Sequence, residues 1–112
     1  MKDFLYLFRG GNAGTSPEDR QRSMERWKAW IEQLAKTGKY KGGFPLETGG
    51  KVVSGANKLV TDGPFPESKE VVGGYLLITA KDLAEAVEFS KGCPIFGEGG
   101  AVEVRPIMEI AM

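Results

Sequence analysis

The sequence predicts an α+β domain of ferredoxin-like type, a split βαβ arrangement with a hairpin insertion and two helices on one face of an antiparallel sheet. Three observations lead there. Segments of strand character open the chain, cross its middle and close it. Two amphipathic segments with capping residues lie between them. Paired glycines and a proline-rich block punctuate the joins. With 112 residues the chain has room for one domain, residues 1–112.

The elements follow in order. Residues 3–9, Asp-Phe-Leu-Tyr-Leu-Phe-Arg, form a strand with Phe4, Tyr6 and Phe8 on one side and Leu5 and Leu7 on the other. Both sides are apolar, so this strand requires cover on both. Ser16-Pro17-Glu18-Asp19 then offers a serine N-cap, a proline at the first helical position and two acids at the positive end of the helix dipole. Met24, Trp27, Trp30, Ile31 and Leu34 share one arc of the helix that follows, and Gly38 is placed to stop it in the left-handed region. The helix is expected over 17–37.

Gly42 to Leu46 reads as a short edge strand that tolerates Pro45. Lys51–Ser54 and Lys58–Thr61 bracket Gly55-Ala56-Asn57 as a small hairpin. Asp62-Gly63-Pro64-Phe65-Pro66 is a compact turn block. Residues 71–80 form a second strand with Tyr75, Leu77 and Thr79 on one side and Leu76, Ile78 and Ala80 on the other. Asp82-Leu83-Ala84-Glu85 is a capping box that opens a second helix, expected to bury Leu83, Ala86, Val87 and Ser90 and to end at Gly92 and Pro94. A loop at Gly97–Gly100 leads to the last strand, 101–107, with Val102 and Val104 inward and Glu103 and Arg105 opposite.

Composition narrows the function. Fifteen basic residues balance fifteen acidic ones, which disfavours an electrostatic nucleic-acid binder. The chain has no histidine, so the commonest general base and metal ligand are missing. Its single cysteine, Cys93, has no histidine to activate it and cannot form an internal disulfide. No metal or cofactor is expected. The apolar stretch before Arg9 is too short for a signal-peptide core or a membrane span, so a cytoplasmic protein without a membrane partner is expected. Two helices can cover only one side of the sheet, yet strands 3–9 and 71–80 are apolar on both. The simplest second cover is another copy of the sheet, and a homodimer is expected.

Leu59-Val60-Thr61-Asp62-Gly63-Pro64-Phe65, Glu67-Ser68-Lys69-Glu70, Gly73-Gly74-Tyr75, Asp82-Leu83 with Glu85-Ala86, and Val102-Glu103-Val104-Arg105-Pro106 together resemble the DGPF branch of the YCII-related proteins. The resemblance is close over residues 51–107 and looser before them. It implies a dimeric α/β-barrel built of ferredoxin-like subunits. The wider family includes proteins credited with a His–Asp pair in a dehalogenase-type site, which a chain without histidine cannot carry. Some relatives neighbour or are fused to sigma factors, which implies a regulatory accessory role as a further alternative.

Asp62 is the best candidate for chemistry: beside Phe65 at a barrel mouth, its carboxylate could act as a base. The competing reading is turn chemistry, the carboxylate bonding nearby amides. Lys69 and Arg105 could form a cationic wall for an acidic ligand, or simply pair with neighbouring glutamates. Tyr6 and Tyr75 are candidate ligand contacts if their hydroxyls reach a barrel interior. Trp27 and Trp30 belong to the apolar helix face rather than to a stacking platform. The glycine-rich segment 9–14 lacks the Gly-Lys-Ser/Thr ending of a phosphate loop. The reading that results is a small dimeric module for an apolar or aromatic small molecule. The alternative is a barrel enzyme moving a proton on a small aromatic or halogenated acid.

Overall fold

The computed structural model describes residues 1–63 and 71–110. Strand β1 (Lys2–Gly10) leads into helix α1 (Pro17–Lys36), then β2 (Tyr40–Pro45), β3 (Lys51–Ser54), β4 (Leu59–Asp62), β5 (Val72–Ala80), helix α2 (Leu83–Ser90), a 3-10 turn at Pro94–Glu98 and β6 (Gly100–Pro106). Four strands form one antiparallel sheet in the order β2-β5-β1-β6, and β3 and β4 form a separate two-stranded ribbon. This is the expected ferredoxin-like α+β architecture. Phe4 lies opposite Ile78, and Tyr6 opposite both Leu76 and Val104, so the register stacks alternate residues of three strands on one face.

That face is the core. Phe4, Tyr6 and Phe8 of β1, Leu76, Ile78 and Ala80 of β5, Trp30 and Leu34 of α1 and Ala86 of α2 are buried together, with Val102 and Val104 packed alongside. The caps form as the sequence predicts. Ser16 accepts a hydrogen bond from the Asp19 amide at 3.0 Å, and Asp82 accepts from the Glu85 amide at 2.9 Å. Gly38 stops α1 at φ 77°, sending its amide to Ala35 O while the Lys39 amide reaches Leu34 O.

Three details depart from expectation. Met24 is 64% exposed, and Ser23 is buried instead. The 3-10 turn replaces part of the anticipated loop and holds the helix in a rotated setting. Glu98 on that turn accepts from Ser23 Oγ at 2.5 Å and from Trp27 Nε1 at 3.3 Å, which draws this side of α1 inward. Leu83 and Val87, expected in the buried stripe of α2, are exposed, because Ala86, Phe89 and Ser90 form the stripe that meets the sheet. Asp62 belongs to β4, opposite Lys51, rather than to a turn.

The molecule is thin. Its extents are 47 × 45 × 18 Å, and its radius of gyration of 15.7 Å exceeds the roughly 13 Å of a compact chain near this length. One helix layer covers one sheet, and every strand residue of the β3–β4 ribbon is exposed.

Candidate functional site

The face of the sheet turned away from the helices is the candidate site. The alternation that buries Phe4, Tyr6 and Phe8 sends Leu5, Leu7 and Arg9 to the other side. The pairings Leu5–Leu77 and Leu7–Tyr75 place an apolar centre there, and Leu7–Glu103 and Leu5–Arg105 set a charged margin on β6. Phe44 of β2 lies opposite Tyr75, their rings in edge-to-face contact with centroids 6.4 Å apart.

The margin is an Arg–Glu–Arg strip. Glu103 accepts from Arg9 at 2.5 Å through one carboxylate oxygen and from Arg105 at 3.1 Å through the other. Hydrogen bonds from Arg105 first, and then from Arg9, hold the Glu103 carboxyl below its ordinary range. Two guanidinium groups thus flank one carboxylate beside an apolar floor. At the opposite end Lys41 closes the face through Asp3, its Nζ 3.2 Å from each carboxylate oxygen. Such a surface suits a flat apolar ring bearing an acidic group.

The sequence-predicted residues separate into groups. Tyr75 and Arg105 share the open face. Tyr6 does not: its side chain is 0% exposed on the helix side, where its hydroxyl donates to Ala86 O at 2.5 Å. Burial, with Cys93 nearby, pushes the Tyr6 phenol upward, so it stays protonated and structural. Its parity in β1, fixed by the register with Leu76, removes it from any pocket on the open side of its own chain. Asp62 lies on the ribbon with its side chain 84% exposed and ion-paired to Lys51. Phe65 and Lys69 lie outside the described residues.

Cys93 is buried in the core, and desolvation pushes its thiol up to about 12 against the lowering effect of a backbone hydrogen bond with Ile95, which disfavours the thiolate a nucleophile needs. Residues that sequence reasoning passed over include Glu98, whose side chain is 10% exposed, and Arg9, which completes the strip. The adjacency of Arg9 and Glu103 rests on the β1–β6 register, and a single glutamate between glycines carries no local signal for the role of Glu98. A surface groove of about 500 Å³ lies elsewhere, between α1 and the 3-10 turn, lined by Arg26, Trp30, Gln33 and Pro94 among others. None of the sequence-predicted site residues among those described lines it.

Comparison with known proteins places this geometry in a family. An uncharacterised protein of Rhizobium meliloti is 38% identical over 55 residues, which is 48% of this chain and 44% of that protein. The match thus spans less than half the length of this curated relative. A solved structure of 5-chloro-2-hydroxyhydroquinone dehydrochlorinase from Burkholderia phenoliruptrix AC1100, in complex with 2,5-dihydroxybenzoquinone, shares the fold. Its TM-score is 0.53 at 21% identity, over 95% of this chain and 93% of that one. No helix of the described residues is long and apolar enough to cross a membrane. The YCII-related domain profile matches residues 4–111, and the chain therefore belongs to the YCII-related domain family.

Proposed function

We propose that the protein is a small-molecule-binding module that pairs with a second copy across the open face and holds an apolar or aromatic ligand there. The single observation that carries this reading is the open face itself, an apolar centre of Leu5, Leu7, Leu77, Tyr75 and Phe44 beside the Arg9–Glu103–Arg105 strip. Tyr75 and Phe44 supply ring contacts, and Arg105 supplies a cation for an acidic substituent. Asp62, exposed on the ribbon, would join this site on assembly. The Asp62-Gly63-Pro64-Phe65 block supports assignment to the DGPF branch of the family.

Native mass spectrometry of protein purified from its source tests the proposal. The expected mass is twice the 12.2 kDa subunit with a retained small molecule. Binding of 2,5-dihydroxybenzoquinone as a probe should weaken about tenfold in Arg105→Gln, the scale of one lost charge-assisted hydrogen bond. A bare monomer that ignores the probe overturns the reading.

A catalytic reading is favoured by one observation, the shared fold with a dehydrochlorinase. In that case Tyr75 or Asp62 carries a proton to or from a small aromatic or halogenated acid. Chloride release from 5-chloro-2-hydroxyhydroquinone, lost in Asp62→Asn or in Tyr75→Phe, supports it. No release above the uncatalysed rate removes it.

A further inference from the structure

Among the described residues, nothing in its own chain covers the β3–β4 ribbon, which stands as an arm. Val53 pairs with Val60 on one of its faces, and Val52 with Thr61 and Ser54 with Leu59 on the other. Both faces therefore carry apolar side chains, and Val52, Val53, Leu59 and Val60 are 45%, 63%, 62% and 57% exposed. A two-stranded ribbon is at best marginally stable in water by itself, and one with two bare apolar faces needs a partner surface. The arm leaves the end of β2 through Gly49 and Gly50, at φ 90° and 134°, and its base is tied by the Gly63 amide to Gly50 O at 3.4 Å. These two glycines, in the left-handed half of backbone space, mark the joint where the chain passes from the sheet into the ribbon.

The size of the open face points to the occupant. Four strands spaced ~4.8 Å apart, each presenting about seven residues at ~3.3 Å, project roughly 440 Å². A stable pair of subunits buries about 800 Å² on each partner. Asp3, Arg9, Glu103 and Arg105 take up part of the margin, so the face alone falls short. Each face of the arm, four residues long and two strands wide, adds roughly 130 Å². Face and one side of the arm together project roughly 570 Å², closer to what a pair requires than the sheet alone. A twofold arrangement also satisfies both copies at once, since each arm meets the same surface of the other subunit. With zero formal net charge, two copies approach without net repulsion.

We infer that the β3–β4 arm reaches across to a second copy of this chain and is clasped against it through Val52, Val53, Leu59 and Val60. The inference rests on the open-face pairing proposed above and assigns it a second contact. It also carries Asp62, at the end of β4, from one subunit to the other.

Isotope-filtered NOE spectroscopy on a mixture of ¹³C-labelled and unlabelled full-length protein tests it. Intermolecular NOEs at the methyls of Val52, Val53, Leu59 and Val60 as well as of Leu5, Leu7 and Leu77 are expected. NOEs confined to the leucines of the sheet overturn the arm and leave the open-face pairing intact. NOEs confined to the arm overturn that pairing and keep the arm contact. None at either set overturns both. Sedimentation equilibrium of Val53→Ser combined with Val60→Ser should show dimer dissociation at least tenfold easier than in the unaltered protein, with an unchanged far-ultraviolet circular dichroism spectrum. An unchanged dissociation constant overturns the clasp.

Discussion

The two faces of the four-stranded sheet are made by the same residues in alternation, yet they meet different surroundings. On the helix side Phe4, Tyr6, Leu76 and Ile78 are nearly sealed, and Trp27 and Trp30 pack edge-to-face against Phe8. On the other side Leu5, Leu7 and Leu77 are only half-buried and a charged strip runs along the margin. Apolar residues occupy both sides of β1 and β5, so the strand pattern asks for two covers and one chain supplies one. The difference separates what folds the subunit from what the subunit offers to others.

Adjacent leucines give the widest separation of the two roles. Leu76→Ala, on the sealed side, should lower unfolding stability by about 2–5 kcal/mol. Leu77→Ala should cost the isolated subunit about 1 kcal/mol, since its side chain already meets solvent. Its larger effect should fall on the dissociation constant of the proposed dimer. Urea unfolding at low protein concentration, set beside sedimentation at high concentration, measures both. Equal losses of subunit stability would erase the distinction between the faces. Trp30→Ala belongs with Leu76 at about 3–5 kcal/mol, whereas Trp27, half-buried at the edge of the cluster, should cost less.

Tyr6→Phe comes next. It keeps the ring stacked near Trp30 but removes the hydroxyl donor to Ala86 O, a carbonyl inside α2 that then keeps only its helical partner, at a cost of about 1 kcal/mol. Thermal unfolding measures this, and ligand retention should be unchanged because Tyr6 faces the helices. A loss of retention with no loss of stability would return Tyr6 to the site.

How much the sequence discloses follows from which forces act locally. The alternation in β1 and β5, the Ser16 and Asp82 caps and the Gly38 stop are all legible because each depends on residues within a turn or two. The azimuth of α1 is not. It depends on Glu98, 75 positions from Ser23, and no local pattern announces that a glutamate will draw a serine inward in place of Met24. Leu83 and Val87 mislead in the same way, since either side of a short helix with scattered apolar residues could face the sheet. In the site, Tyr75 and Arg105 can be assigned to a face from strand parity. The sides of Tyr6 and Tyr75 relative to one another depend on the β1–β5 register, which a single strand does not contain. Asp62 reads as a turn residue from its Gly-Pro successors and proves to be the end of a strand.

Acid should discriminate the charged margin from the sealed face. Hydrogen bonds from Arg105 and Arg9 lower the Glu103 carboxyl, and those from Arg22 and Ser16 lower that of Asp19. A carboxyl whose folded pKa lies below its unfolded value adds stability that is complete above the unfolded value, about 4.3 for Glu. That contribution is lost as pH falls through the folded value. The melting temperature should therefore decline between roughly pH 5 and pH 3. The decline should be shallower in Glu103→Gln, which has no charge there to lose. An identical acid profile in that variant would show that the strip contributes nothing to the fold.

The smallest expected effect on stability concerns Asp62. Its carboxylate is mostly in water, and its partner is Lys51 across the ribbon. Exposed pairs of this kind contribute about 0–1 kcal/mol, so Asp62→Asn and Asp62→Ala should both leave the melting temperature of the subunit almost unchanged. A carboxylate that capped a turn would behave otherwise, its alanine variant losing about 1 kcal/mol while asparagine retained most of the hydrogen bonding. Ligand occupancy decides the remaining question. If the arm brings Asp62 to the open face of a second copy, Asp62→Asn should lower retention of the 2,5-dihydroxybenzoquinone probe without altering the melting temperature of the subunit. Lys51→Met, which removes the partner but keeps the carboxylate, should leave retention intact. Unchanged retention in both variants would confine Asp62 to the surface of the arm, and the open face would then have to bind its ligand through Tyr75, Phe44 and the arginine strip alone.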